Sequence, residues 1–160
     1  MDGQDGQDRD VESAGEVLSS FEASLDLAKS CLPMKHEILT RSILSSAFEV
    51  IHELGSGFLE SVYQNALALA LAQNGHKVES EKPLQVRFRG VRVGEFFADL
   101  LVDDTVVVEL KAAKALAPEH QAQVINYLNS SGLEVGLLLN FGNPRLEYRR
   151  LTRDPNGTDN

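Results

Sequence analysis

The sequence holds a single cysteine, Cys31, which leaves no disulfide framework and no CxxC pair for zinc or redox chemistry, and a reducing compartment is expected. No apolar run reaches the roughly 18 residues needed to span a bilayer. The opening residues, MDGQDGQDRDVE, lack the basic start and apolar stretch of a secretory signal, and their acidity argues against a mitochondrial transit peptide. The expectation is an intracellular protein, cytoplasmic or nuclear, with no membrane partner. Positive charge is scarce as well: 15 Lys and Arg face 24 Asp and Glu, for a formal net charge of −9. Chains that neutralise nucleic-acid phosphates are usually rich in clustered bases. No internal repeat is visible, and no aromatic residues interleave with basic ones as on a single-strand stacking surface.

The acidity is unevenly placed. Residues 1–35 hold eight acids (Asp2, Asp5, Asp8, Asp10, Glu12, Glu16, Glu22, Asp26) against three bases (Arg9, Lys29, Lys35), so that stretch carries −5 and the remainder only −4. Residues 1 to about 15 are too poor in large apolar groups to repay the entropy of ordering, and they read as a disordered tail. Val17, Leu18, Phe21, Leu25 and Leu27 have the spacing of a short helix before Pro33. The expected organisation is an acidic tail over 1–35, one folded domain over 36–152 and a flexible tail over 153–160.

Within the domain, Ile38, Leu39, Ile43, Ala47, Val50 and Ile51 recur at helical intervals from His36 to Leu54, where Gly55 and Gly57 stop the helix. A second helix is expected from about Phe58 to Asn74, with Val62, Ala66, Leu67, Ala70 and Leu71 inward and Asn74-Gly75 at its end. The pattern then becomes period two: Leu84, Val86 and Phe88 alternate with Gln85, Arg87 and Arg89, and Gly90 precedes a second run, Val91 to Val102. Thr105 to Leu110 is β-branched, as a strand covered on both faces should be. A helix from Pro118 to about Asn129 ends at Gly132. Strands over Glu134 to Asn140 and Arg145 to Leu151 complete an α-α-β-β-β-α-β-β order. The crossover helix between the third and fourth strands implies parallel pairing within a mixed sheet.

Glu109 and Lys111 lie two apart on a strand and so leave the same face. A three-residue turn, Asp103 to Thr105, pairs Val102 with Val106 and places Asp99 opposite Glu109, whereas a two-residue turn pairs Asp99 with Val108 and scatters the group. Two carboxylates and the intervening Leu110 carbonyl are hard oxygen donors suited to Mg2+ or Mn2+. Lys111 is placed to hold and help deprotonate an attacking water, or to stabilise charge on phosphoryl oxygens. A solvated hairpin face is the plain alternative for so short a motif.

Further segments bear on that choice. Gly57 to Tyr63 reads GxxExxY; with ADLLVDDTVVVELKA and EHQAQVINYL it resembles the GxxExxY family, a branch of the PD-(D/E)XK nuclease superfamily, over about residues 36–151. The resemblance implies a restriction-endonuclease-like α/β fold, a mixed sheet flanked by helices. It makes Glu60 the helix-borne acid and a further metal ligand, Asp99 the acid of the superfamily name, and Glu109 with Lys111 the ExK pair. Gln123 and Tyr127 match a QxxxY element; spaced by four, they share a helix face, with Gln123 orienting substrate or ligand and Tyr127 beside it. His120 falls on the same edge or on the open surface. Glu60 also suits a helix first turn by complementing the dipole, and Tyr63 reads as a packing residue. Arg87, Arg89 and Arg92 flank the Gly90 turn either as phosphate contacts or as the solvent side of an edge hairpin.

Two functions follow from this reading. One is a Mg2+- or Mn2+-dependent nuclease acting on DNA or RNA; the other is an interaction module for nucleic acid or protein that keeps the fold without turnover. In the first, specificity is expected from a protein partner or from pairing of two copies, since no separate recognition domain is visible.

Overall fold

The computed structural model describes residues 34–154. The expected helix over 16–32, the acidic tail and nearly all of the expected C-terminal tail lie outside the described residues. Helix α1 spans Glu37–Leu54 and stops at Gly55, whose positive φ of 72° suits glycine and whose N–H returns to the Ile51 carbonyl. Helix α2 spans Glu60–Gln73 and α3 Pro118–Ser131, the latter opened by Pro118 and closed by Gly132 in the left-handed conformation.

The strands are β1 (Val78–Phe88), β2 (Val91–Val102), β3 (Val106–Lys111), β4 (Val135–Asn140) and β5 (Glu147–Thr152), hydrogen-bonded in sequence order. Only β3 and β4 pair in parallel, joined by the α3 crossover. The restriction-endonuclease-like α/β arrangement expected from the sequence is therefore present, with β1 beginning six residues before the expected alternation at Leu84.

Alternation along the central strands sorts the core into two layers. Leu100, Val102, Val106, Val108, Leu110, Leu137 and Leu139 pack under α1 and α2 against Ile43, Ala47, Tyr63, Leu67 and Leu71. Leu101, Val107 and Leu138 face the other way, beneath Val124, Tyr127 and Leu128 of α3. Each buried Leu or Val is worth about 1.5–3 kcal/mol of transfer free energy, so the middle of the sheet is the rigid part.

Two expected core positions are corrected. Ile38 is 87% exposed, because it precedes the stripe that Ile43, Ala47, Val50 and Ile51 turn inward. Val62 is 37% exposed, because α2 seats the i, i+4, i+8 stripe of Tyr63, Leu67 and Leu71 instead.

Candidate active site

The turn between β2 and β3 decides the site. Val102 pairs with Val106 across three residues, the turn length on which the expected meeting of Asp99 and Glu109 depends. Asp103 and Asp104 take positive φ values of 51° and 53°, a conformation that Asp visits more readily than most residues. The Asp103 carboxylate is held from outside the turn, accepting the Lys77 N–H at 2.8 Å and pairing with His76 Nδ1 at 2.7 Å.

The β2–β3 ladder runs only from Val102–Val106 to Leu100–Val108. Beyond it, the Asp99 carboxylate replaces the backbone: its Oδ2 accepts the Leu110 N–H at 2.8 Å. The Lys111 carbonyl accepts the Phe141 N–H on the opposite side, and strand alternation then turns the Leu110 carbonyl toward the opened β2 side.

At the same level β1 and β2 change faces. Val78, Leu100 and Val102 belong to the α1–α2 layer, whereas Leu84, Phe96 and Ala98, an even number of residues away, pack with Tyr127 in the α3 layer. Regular strands cannot do this; the break lies at Asp99 and at Glu81, which is absent from the ladder and has φ of 51°. Gln64 of α2 bridges the break, its Nε2 donating to the Asp99 carbonyl at 3.0 Å and to Glu81 Oε1 at 2.8 Å. The outcome is a gap in the sheet, reached by α2 from one face and α3 from the other.

Glu109 is 3% exposed. Its Oε1 accepts from Lys111 Nζ at 3.1 Å, and its Oε2 is buried with no hydrogen-bond partner among the described residues. Burial, and next the Asp99 charge, push its carboxyl up to about 7. Burial likewise raises Asp99, with the charges of Glu60 and Glu81 adding to the effect and the Leu110 N–H opposing it. Asp99, Glu109 and Lys111 are thus brought together, with Glu60 in the first turn of α2 within electrostatic reach of Asp99. Glu60 makes no hydrogen bond to the other three.

On α3, Gln123 Nε2 donates to the Tyr127 hydroxyl. The Tyr127 hydroxyl is raised by burial and then by the charge of Glu109, so α3 faces the carboxylates. His120 caps α3, its Nδ1 accepting the Ala117 N–H at 3.1 Å. Arg87 and Arg89 stand at the far end of the β1–β2 hairpin, about 20 Å of strand from Glu81, and are not gathered into the site.

The GxxExxY segment has a mechanical logic. Tyr63 is fully buried, its hydroxyl donates to the Gly55 carbonyl at 2.7 Å and accepts the Phe58 N–H at 3.2 Å, and Gly57 supplies a φ of 111° between them. This staple fixes the loop from which Glu60 starts α2.

Sequence reasoning missed Glu81, Gln64 and Asn140. Asn140 is fully buried, accepts the Ala113 and Gly142 N–H groups at 3.0 Å, and so ties the segment after Lys111 to the end of β4. The available signal was a polar residue in an apolar stripe: Gln64 beside Tyr63 and Leu67, and Asn140 ending the VGLLLN strand.

The profile of the PD-(D/E)XK nuclease superfamily matches residues 37–151. None of the curated proteins matches the chain. Similar solved structures include an alkaline exonuclease from Laribacter hongkongensis, at 16% identity and a TM-score of 0.46 over 59% of this chain and 56% of that one. The crystal structure of SSO0001 is also similar, at 16% identity and a TM-score of 0.47 over 74% of this chain and 61% of that one. The chain thus spans less than two thirds of either. No described helix is long and apolar enough to cross a membrane.

Proposed function

The chain belongs to the PD-(D/E)XK nuclease superfamily, and from that membership we propose that it hydrolyses phosphodiester bonds of DNA or RNA using a divalent cation, Mg2+ or Mn2+. The observation that carries the reading is Glu109: a carboxylate 3% exposed, set against Asp99, with a buried oxygen that has no partner among the described residues. A buried, unpaired carboxylate oxygen is costly unless a cation or a proton compensates it. Hard oxygen donors of this kind fit Mg2+ or Mn2+.

Asp99, Glu109 and the Leu110 carbonyl would hold the ion, with Glu60 as a further acid from α2. Bound there, the ion supplies Lewis acidity and a more acidic bound water. Lys111, 3.1 Å from Glu109, positions the attacking water and stabilises charge on the phosphoryl oxygens. Gln123 orients the substrate phosphate, and Tyr127 packs beside it. Arg87 and Arg89 bind the nucleic-acid backbone away from the chemistry. Gly57, Glu60 and Tyr63 support placement in the GxxExxY branch. A protein partner or a second copy supplies sequence selectivity.

Purified chain with Mg2+ or Mn2+ is expected to cleave DNA or RNA, and Lys111→Ala to slow cleavage by about 10²–10⁴ with an unchanged unfolding midpoint. One observation favours the alternative of a silent interaction module: among the described residues, no three His, Cys, Asp or Glu side chains converge as an ion cage. Absence of cleavage across varied DNA and RNA, with partner binding unaffected by Asp99→Ala or Glu109→Ala, selects that alternative.

A further inference from the structure

A cavity of about 400 Å³ lies between the β1–β2 hairpin and α3, walled by Val86, Phe96 and Tyr127 on its apolar side and by Gln123, Asn126 and Asn129 on its polar side. It lies in the size range of small-ligand sites. Among the described residues no charged side chain lines it, although it adjoins a cluster of carboxylates. The Asn126 and Asn129 side-chain amides make no hydrogen bond to a described residue and offer both donors and acceptors.

The face change at Glu81 and Asp99 creates this cavity, because it turns Phe96 and Val86 toward α3 rather than toward α1 and α2. Phe96 is three residues from Asp99, about 10 Å of strand. Its ring stacks on Tyr127 at a centroid distance of 3.9 Å and 7° between planes, and Tyr127 is bonded to Gln123. Apart from Gln123 at the end toward the phosphate, this neutral, half-aromatic, amide-edged cavity suits a flat heterocycle with a hydrogen-bonding edge better than an anion.

We infer that this cavity receives an unpaired nucleobase, within a nucleotide or two of the phosphate bound at Asp99 and Glu109, so that the protein selects nucleic acid with a single-stranded segment over fully paired duplex. The inference rests on the nuclease reading for the position of the phosphate. Carboxamides at Asn126 and Asn129 meet the base edge, while Phe96 and Val86 meet its faces and sides. The platform is assembled from β2 and α3, elements distant in sequence, and so forms no local motif.

The test measures binding in the full-length Lys111→Ala chain with Mg2+, by fluorescence anisotropy, with substrate integrity checked on gels. The probes are a blunt duplex, the same duplex with a three-nucleotide overhang, and that overhang with abasic sugars, each as DNA and as RNA. The overhang is expected to bind about tenfold more tightly than the blunt duplex, as stacking of one base allows, and the abasic overhang to lose the gain. Asn126→Leu with Asn129→Leu, both on the exposed side of α3, should erase the preference and leave blunt-duplex binding unchanged. Equal affinity for all probes, no binding to any, a preference that survives abasic replacement, or a double variant that weakens every probe alike overturns the inference. A preserved preference in a wild-type chain that never cleaves would instead sink the catalytic reading and keep the cavity assignment.

Discussion

Strand β2 has two halves that differ in burial far more than in composition. Leu100, Leu101 and Val102 are 0–6% exposed, paired with β1 on one side and β3 on the other, and covered by helices. Val91, Val93 and Phe97 are 52–65% exposed, paired with β1 alone. Apolar sequence therefore does not set burial here; neighbours do. The near half is frame and the far half is an arm, and the carboxylates stand at the joint, where the ladder to β3 ends.

The comparison is most sharply tested by truncating each half. Leu100→Ala, from a fully buried position, should cost about 2–5 kcal/mol in urea unfolding, whereas Phe97→Ala on the arm should change stability by about 0.5 kcal/mol or less. Equal costs would break the distinction between frame and arm.

At the joint, Glu109 links stability to pH. Its carboxyl lies at about 7 in the folded chain against 4.5 for an unperturbed group, so the unfolded chain releases this proton first. Folded-state stability should fall as pH rises from about 4.5 to about 7 and be level above that, by about 3 kcal/mol in total. Glu109→Gln should remove this contribution, leaving the part that Asp99, also raised by burial, supplies, and should exceed the wild type at pH 8 in EDTA. Mg2+ or Mn2+ at pH 8 should stabilise the wild type and not the variant.

Gly142 belongs to the frame: a Cβ there would meet the Ala113 carbonyl oxygen at 2.1 Å. Gly142→Ala should cost about 1–3 kcal/mol and move the segment after Lys111, lowering cleavage along with the thermal midpoint. The smallest effect on stability belongs to the arm. Among the described residues Arg87 bonds only the neutral Gly90 carbonyl and Gln85, and Arg89 lies over the Phe88 ring. Removing both should leave the midpoint in place and reduce the salt slope of duplex binding by about 2; an unchanged slope would take the arm off the backbone.

Much of the frame was legible because its signals are local. Period-two and period-3.6 patterns gave the described strands and helices in order, and Asp103-Asp104-Thr105 gave a turn whose length could be weighed by what it did to Asp99. The face change was not legible. It depends on Glu81 adopting a left-handed backbone without glycine, held by Gln64 from a helix 17 residues earlier, and a contact of that kind leaves no periodicity. Ile38 and Val62 were misplaced because periodicity marks a stripe without fixing which edge of it meets the sheet. Asn140 was hidden inside a strand that reads as entirely apolar until its last residue.

The kink at Glu81 has one more consequence. Strand β1 is 11 residues long and forms the rim of the sheet, and a flat rim of that length is a template on which another chain can add itself. Glu81 bends the row of donors and acceptors, and Pro83, two residues on, has no N–H to offer. The distortion that opens the carboxylates to a ligand also interrupts the rim before a foreign strand can zip along it, which guards the chain against cross-β growth.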